Sequence, residues 1–497
     1  YGTGIPACVL VCNKNKPDAL RDKVLFINAD REYAEGKAQN RLRPEDIEKI
    51  DFVFTNRREI PKYSRLVSKS EIVDEHDYNL NIRRYVDNTP NPEPEDVQAH
   101  LIGGIPEAEV NALNDNFARF GISADMLFEP QRPGYLAFRE SVGTKPAIRA
   151  ALESDPALQQ VLTAHFDALE DWWVIARDDF AGLRNGKQLP KLRQELLTTL
   201  KDKLIPLRVL DEFKCAGVFV NWWQQIHYDL KTIISTGWHH SLIPDDYLIT
   251  EFFQLEAEEI EKLESQISEA QSELSEAVET AQDVAAYEPE EDEKVTAAVI
   301  KRALKELIND LKGSTSASAR KELTALDAQD KAIKAIEKRI RNSRAALRTK
   351  TSELELKLQL KRVGGDGFKA DSQKLIDQVD AQLAKLDSSK RADKRKINAL
   401  NKDKTVLETR LAETDSILAA IGGQISQEES RRLILEKLCD LVHKELDRYL
   451  NAEKRRLFQV VENLWDKYAV SMRELETERS ETLKTLDGFL RGLGYWG

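Results

Sequence analysis

The chain has 497 residues, too many for one ordinary core, and a prior of about 150 residues per domain suggests roughly three units. Its 74 basic and 86 acidic residues leave a net charge of -12, which argues against a protein that coats nucleic acid nonspecifically and makes any DNA contact local. Four scattered cysteines, Cys8, Cys12, Cys215 and Cys439, exclude a disulfide framework, and no apolar run of about 18 residues is available to span a bilayer. The expectation is a soluble, cytoplasmic protein with no membrane partner.

The front of the chain reads as α/β. GTGIPACVLVCNK predicts a buried strand from Ile5 to Asn13, and KVLFINAD predicts its neighbour from Lys23 to Asp30, across a polar turn. A helix starts near Pro44, and a mixed polar connection follows it to Lys69. Ser70 is placed to cap a short helix from Glu71 to His76. From Tyr78 the pattern alternates strictly, which predicts an extended segment with Tyr78, Leu80 and Ile82 on one face and Asn79, Asn81 and Arg83 on the other. Arg83 and Arg84 carry forked donors that suit phosphate oxygens, and the two asparagines reach phosphates or an adenine edge. The alternative is that the arginines pair with Asp74, Glu75 or Asp77. In the first 86 residues 16 basic groups meet 14 acidic ones, so the acid is concentrated later.

After Val86 the run DNTPNPEPED reads as a linker, and PEAEVNALNDNFARFG as one helix with Val110, Leu113 and Phe117 on a face, closed by Gly121. Residues 144–250 are almost all helix. Trp172 with Trp173 and Trp222 with Trp223 are read as core, since adjacent helical side chains point about 100° apart and form no stacking platform. Cys215, His227, His239 and His240 match no zinc spacing, so no metal site is expected.

The next third carries heptads: Ile260, Leu263, Ile267, Ala270 and Leu274 in one helix, Ile300, Leu304 and Leu307 in a second, Leu326, Ile333, Ile340, Leu347 and Leu354 in a third. A fourth runs from Ile376 to Ile425. The economical solution is an antiparallel hairpin in which the third helix folds back on the fourth across Gly364 to Gly367, projecting about 70 Å as either a partner-holding arm or a plain spacer. The last residues return to denser helices, with Leu438, Val442, Leu446 and Leu450, then Leu457, Val461 and Leu464.

The segments YNLNIRRYV, IPACVLVCNK and KVLFINAD, AGVFVNWWQQIHYDLKTIISTGWHHSLIPDDYL and LWDKYAVSMRELE together resemble the modification subunit of type I restriction-modification systems, an N6-adenine DNA methyltransferase family. The resemblance covers most of the chain outside the charged helices. It implies a mostly α fold with a small α/β remnant, the last strands of a Rossmann-like methyltransferase sheet, then a helical middle, a long antiparallel coiled-coil hairpin and C-terminal helices. The expected divisions are 1–86, the edge of the methyltransferase domain; 87–143, a linker and small helical or irregular region; 144–250, a helical domain; 251–430, the coiled-coil arm; and 431–497, a subunit-docking region. It further implies double-stranded DNA, a specificity subunit and a restriction subunit as partners, and S-adenosylmethionine as the family's cofactor. Tyr1 falls where the family places an aromatic beside the flipped adenine, although packing against Ile5 or Phe26 is the alternative. Tyr78, Asn79, Asn81, Arg83 and Arg84 are the candidate DNA contacts.

Neither a Gly-containing cofactor turn after a strand nor an NPP[YF]-like tetrapeptide occurs. TPNPEPED, Thr89 to Asp96, has the wrong order, and GGDG, Gly364 to Gly367, follows a charged helix. A chain opening on Tyr1 rather than Met, without these motifs, is expected to be the back part of a longer protein, binding no cofactor and transferring no methyl group alone. The competing expectations are a coiled-coil scaffold with no nucleic-acid function, or a methyltransferase of another phage-defence system.

Overall fold

A computed structural model describes residues 8–37, 39–92, 94–183, 188–289, 294–312, 316–386, 390–493 and 495. The chain is mostly helical and divides into two compact units, Tyr1–Gly237 with Leu438–Gly497, and Trp238–Lys437.

In the first unit, β1 (Lys23–Ile27) pairs antiparallel with β2 (Ser64–Ser68), and α1 (Pro44–Asn56) lies between them in sequence. Pro44 opens α1 as expected, and Asp46 accepts from the Arg43 backbone amide at 2.8 Å to close its first turn. The predicted partner of β1 is corrected. Residues 8–13 form no strand, and Val9 and Leu10 are 90% and 73% exposed; the partner instead comes from the stretch read as a polar connection. Its SRLVS alternation buries Val67 completely beside Phe26, which outweighs the polar flanks that concealed it. Over the described residues this sheet has two antiparallel strands and does not display a Rossmann-like order.

The segment read as linker and irregular region holds a second sheet. After α2 (Ile82–Tyr85) and α3 (Val97–Ile102) come β3 (Ile105–Pro106), α4 (Glu107–Asn111), α5 (Asn114–Arg119), β4 (Phe128–Arg132) and β5 (Tyr135–Phe138), in the strand order β3-β5-β4. Gly134, at φ 78°, makes the tight turn between β4 and β5. The single helix expected across Val110 to Phe117 breaks between α4 and α5.

Helices α6 (Lys145–Ser154), α7 (Pro156–Ala181), α8 (Leu189–Leu204) and α9 (Glu212–Thr236) build the main core. Asp155 and Asp211 cap α7 and α9 through backbone amides. Trp172 and Trp222 are fully buried with ring centroids 5.5 Å apart, and each indole N–H finds a carbonyl: Leu196 at 3.2 Å and Leu438 at 2.8 Å. The core reading of the tryptophans holds for this reason. Gly217 lets Tyr449 approach α9; the Tyr449 hydroxyl donates to Glu45 at 2.6 Å and accepts from Asn221 at 3.0 Å.

The second unit contains α10 (Asp245–Phe252), α11 (Gln254–Ala285), α12 (Ala297–Leu311), α13 (Ala317–Leu383) and α14 (Arg391–Ala420). The expected hairpin is only part of the packing here. The first part of α13 packs antiparallel on α11, with Lys357–Glu256 at 2.7 Å and Lys350–Glu259 at 2.9 Å, while its second part packs antiparallel on α14, with Lys369–Asp415 and Lys404–Asp380 both at 2.6 Å. Gly364 (φ 73°, ψ 177°) breaks α13 sharply, and α14 touches both halves: Arg410 Nη2 donates to Ser352 Oγ at 2.7 Å, and Leu356, Leu360 and Phe368 cluster with Ile417, Leu418 and Ile421. The carbonyls disturbed beside Gly364 are satisfied from outside the helix: Ile425 N–H donates to Lys361 at 2.8 Å and Gln424 Nε2 to Arg362 at 3.0 Å.

Helix α15 (Gln427–Tyr468) supplies the first unit from Leu438 onward, and α16 (Met472–Gly492) follows it. Leu438, Val442, Leu446 and Leu450 are buried, as the pattern predicts. The far end of α15 is tied by Lys145–Asp466 at 2.5 Å, Arg149–Glu462 at 2.7 Å and Lys467–Glu109 at 3.0 Å.

Candidate nucleic-acid interface

The segment from Ser68 to Asn88 is held by a small apolar cluster of Phe26, Val67, Ile72, Tyr85 and Val86. Tyr85 organises it. Its ring stacks on Phe26 with centroids 4.2 Å apart, meets His76 edge-on at 5.0 Å, and its hydroxyl donates to the Asn79 carbonyl. Asn28 is buried and donates to the Val86 carbonyl at 2.9 Å, which anchors the far end.

Local structure departs from the expected capped helix and extended face. Ser70 is itself helical and makes no cap; Ser68 Oγ accepts from the Glu71 amide at 3.2 Å, and Glu71–Glu75 forms one π-type turn. Asp77 and Tyr78 have φ of 45° and 58°, a left-handed pair that is unfavourable for residues with a Cβ and breaks the alternation. Tyr78 is consequently 67% exposed and Leu80 50% exposed, so neither docks on the core. The chain then enters α2 (Ile82–Tyr85), where Asn81 Oδ1 caps by accepting from Arg83 N at 3.2 Å. Asn79 Oδ1 accepts from Asn81 N at 2.9 Å. Both amide oxygens are thus used within the loop, which leaves the two NH2 groups to face outward.

The arginines part company. Arg83 donates to Asp30 from Nε at 3.1 Å and Nη2 at 2.7 Å, so its partner is none of the three carboxylates weighed from sequence. Asp30 also accepts from Asn88. Partial burial works against its charge, but the hydrogen bonds from Asn88 and Arg83 and the charges of Arg83 and Arg31 hold the Asp30 carboxyl below its ordinary value. Arg84 is exposed and has no ion-pair partner among the described residues. The result is an exposed loop that presents Tyr78, two amide NH2 groups and Arg84, with Arg83 held at its edge. Tyr1 lies outside the described residues.

Ligand-type atoms gather within 4.8 Å at two places among the described residues, Glu71 with Glu75 and His76, and Glu170 with Cys439 and His443. In the first, Glu71 is held by Arg65 at 2.8 and 3.0 Å. In the second, His443 Nε2 meets Glu170 at 2.9 Å and Nδ1 meets the Cys439 carbonyl at 3.0 Å, so both ring nitrogens already have protein partners. The Cys439/His443 spacing of four was visible in the sequence; Glu170, far off in the chain, was not. Cys215 is fully buried in α9, and burial pushes its thiol up to about 12. The turn after β1, Asn28-Ala29-Asp30, carries no glycine, and its carboxylate is engaged by Arg83 and Asn88.

Residues 1–93 match the family described as N-6 DNA Methylase. The resemblance to type I modification subunits stands with this match. Over 120 residues the chain is 37% identical to the type I restriction enzyme MjaVIII methylase subunit of Methanocaldococcus jannaschii, covering 24% of this chain and 20% of that protein. Over 100 residues it is 42% identical to the MjaVII methylase subunit of the same organism, covering 20% and 17%. Over 96 residues it is 31% identical to the MpnII methylase subunit of Mycoplasma pneumoniae, covering 19% and 17%. The chain spans about a fifth of the length of the curated relatives it matches. No solved structure matches it. No described helix is long and apolar enough to cross a membrane.

Proposed function

We propose that the chain belongs to an N6-adenine DNA methyltransferase, the modification subunit of a type I restriction-modification system, and supplies DNA-side support and subunit assembly. The observation that carries this reading is the N-6 DNA methylase match over residues 1–93, joined to three relatives that are type I methylase subunits. S-adenosylmethionine is the methyl donor of the complete enzyme, and the residues present here transfer no methyl group alone. Arg84 and the outward NH2 groups of Asn79 and Asn81 meet phosphates; Arg83, exposed on one side, exchanges Asp30 for a phosphate oxygen; Tyr78 lies against sugar or base.

Assembly rests on α16. Met472, Leu475, Leu483, Leu486 and Phe489 are each at least half exposed on a helix that buries none of its residues, an apolar stripe suited to a helix of the specificity subunit. The restriction subunit joins the same complex.

The test is duplex binding by the chain with its specificity subunit as salt is varied. Arg83→Ala with Arg84→Ala should flatten the slope of log affinity against log salt by about 1.8, two phosphates at roughly 0.9 each. An unchanged slope removes the DNA-contact assignment. Leu483→Asp with Phe489→Asp should abolish co-elution with the specificity subunit; retained co-elution removes the docking role.

A further inference from the structure

The two helices α11 and α13 carry a second feature that the proposed function leaves unused. Along α13, most cations have carboxylate partners: Lys331 with Asp327 at 2.6 Å, Lys334 with Asp330 at 2.5 Å, Lys350 with Glu259 at 2.9 Å, and Arg339 with Glu273. Lys338, Arg341, Arg344 and Arg348 do not. All four are exposed, and none has an ion-pair partner among the described residues.

These four share one side of the helix. Steps of three, three and four residues keep them on one face, and a rise of about 1.5 Å per residue spreads them over roughly 15 Å. They line a groove of about 860 Å³ between α13 and α11. Helix α12 covers this pair from Ala297 on, tied by Lys301 to Glu337 at 2.6 Å, and the groove opens beside that tie. From α11 it is lined by Gln271 and Leu274, neither of them acidic, and the one carboxylate at its edge, Glu337, is already held by Lys301. In a chain of net charge -12, four uncompensated cations in one groove form a local reversal of sign.

We propose that this groove binds the sugar-phosphate backbone of a DNA duplex, as a contact additional to the Tyr78 to Arg84 loop. One strand of a duplex carries a phosphate about every 3.4 Å along the axis, so roughly 15 Å of it offers about four charges, the number the groove presents. Arginine, which supplies three of the four, binds phosphate through a fork. No base edge is read, so the contact is independent of sequence. The choice of DNA over other polyanions rests on the proposed function; the charge and geometry of the groove do not.

The experiment uses the full chain and a duplex of arbitrary sequence, with affinity measured by fluorescence anisotropy across a range of salt. Wild type is compared with the variant carrying K338Q, R341Q, R344Q and R348Q, and with a charge-keeping variant carrying R341K, R344K and R348K. The neutral variant should lose roughly tenfold or more at low salt, and its slope should flatten by about 3.6, from four phosphates at 0.9 each, with helix content by circular dichroism unchanged. The lysine variant should keep the wild-type slope. An unchanged slope in the neutral variant overturns the proposal, as does wild type that fails to bind duplex at low salt. Tighter binding to a glutamate-rich helical peptide or to phosphatidylserine vesicles than to duplex also overturns it, by assigning the groove to a partner helix or a lipid surface. The Arg83→Ala, Arg84→Ala variant separates the two ideas: it leaves the groove's share of the slope intact, so either DNA contact can fail while the other stands.

Discussion

The two units reach stability by different routes. In the first, a few large side chains carry the core: Trp172, Trp222, Phe180 and Phe219 are all fully buried, and the two indoles are hydrogen-bonded to backbone carbonyls. In the second, the interior is a seam of medium aliphatic residues such as Val278, Ile300, Leu304, Leu326 and Ile333, flanked by ion pairs at the surface. A seam repeats, so each residue contributes a modest share and outward-facing charges are left to do something else. A centred core does not repeat, and losing one member removes contacts to most of the others. Single substitutions should therefore be felt more sharply in the first unit.

The largest expected effect follows from that. Trp222→Ala removes a fully buried indole and leaves the Leu438 carbonyl without its donor, which should cost about 3–5 kcal/mol in urea unfolding. Ile333→Ala in the seam should cost about 2–4 kcal/mol, toward the lower half of the range for aliphatic truncations. If the seam substitution proves the costlier, the contrast between the units is wrong. Gly217→Ala comes next. A Cβ there would collide with the Tyr449 hydroxyl and stand 2.9 Å from Glu45 Oε2, so a loss of about 1–3 kcal/mol is expected. Tyr449→Phe in the same chain should recover part of it, and a double-mutant cycle measures the coupling.

The same contrast explains what could be read from sequence. The heptads of α11 to α14 and the buried faces of α7 to α9 were legible because periodicity is local. Which helix pairs with which was not, because a heptad states that a seam exists without naming its partner; α13 takes α11 along its first part and α14 on both sides of Gly364. Strand β2 was missed because Ser64, Arg65 and Ser68 look like connection until Val67 is seen buried beside Phe26. At the loop proposed to face DNA the residue types were read from sequence but their arrangement was not. Alternation from Tyr78 to Arg83 implied an extended strand, whereas left-handed Asp77 and Tyr78 break it and turn the side chains outward. Asp30, the actual partner of Arg83, lies 53 residues away in the chain, beyond any local pattern.

Gly364 sharpens the account of the second unit. Its φ of 73° with ψ of 177° is a region that only glycine occupies readily, and a Cβ would stand 2.7 Å from Gln424 Oε1. Gly364→Ala should cost about 1–3 kcal/mol, read as a lower melting temperature by circular dichroism. No loss would mean that the glycine-only backbone at Gly364 is not what sets the break in α13.

The smallest effect tests the loop. Arg83 and Asp30 pair at the surface, with 64% and 13% of their side chains exposed, so Arg83→Ala should cost only about 0.2–1 kcal/mol near neutral pH. Its pH dependence is the sharper measurement. The Asp30 carboxyl is held below its ordinary value in the folded state, so its contribution is complete above the unfolded value of about 3.9 and is lost as pH falls through the lower folded value. The difference between wild type and Arg83→Ala should therefore persist to acid pH and close only below that window, in paired urea titrations. A gap that closes nearer neutrality would show that the pair is not what holds α2 against β1, and that the Phe26–Tyr85 stack fixes the loop by itself.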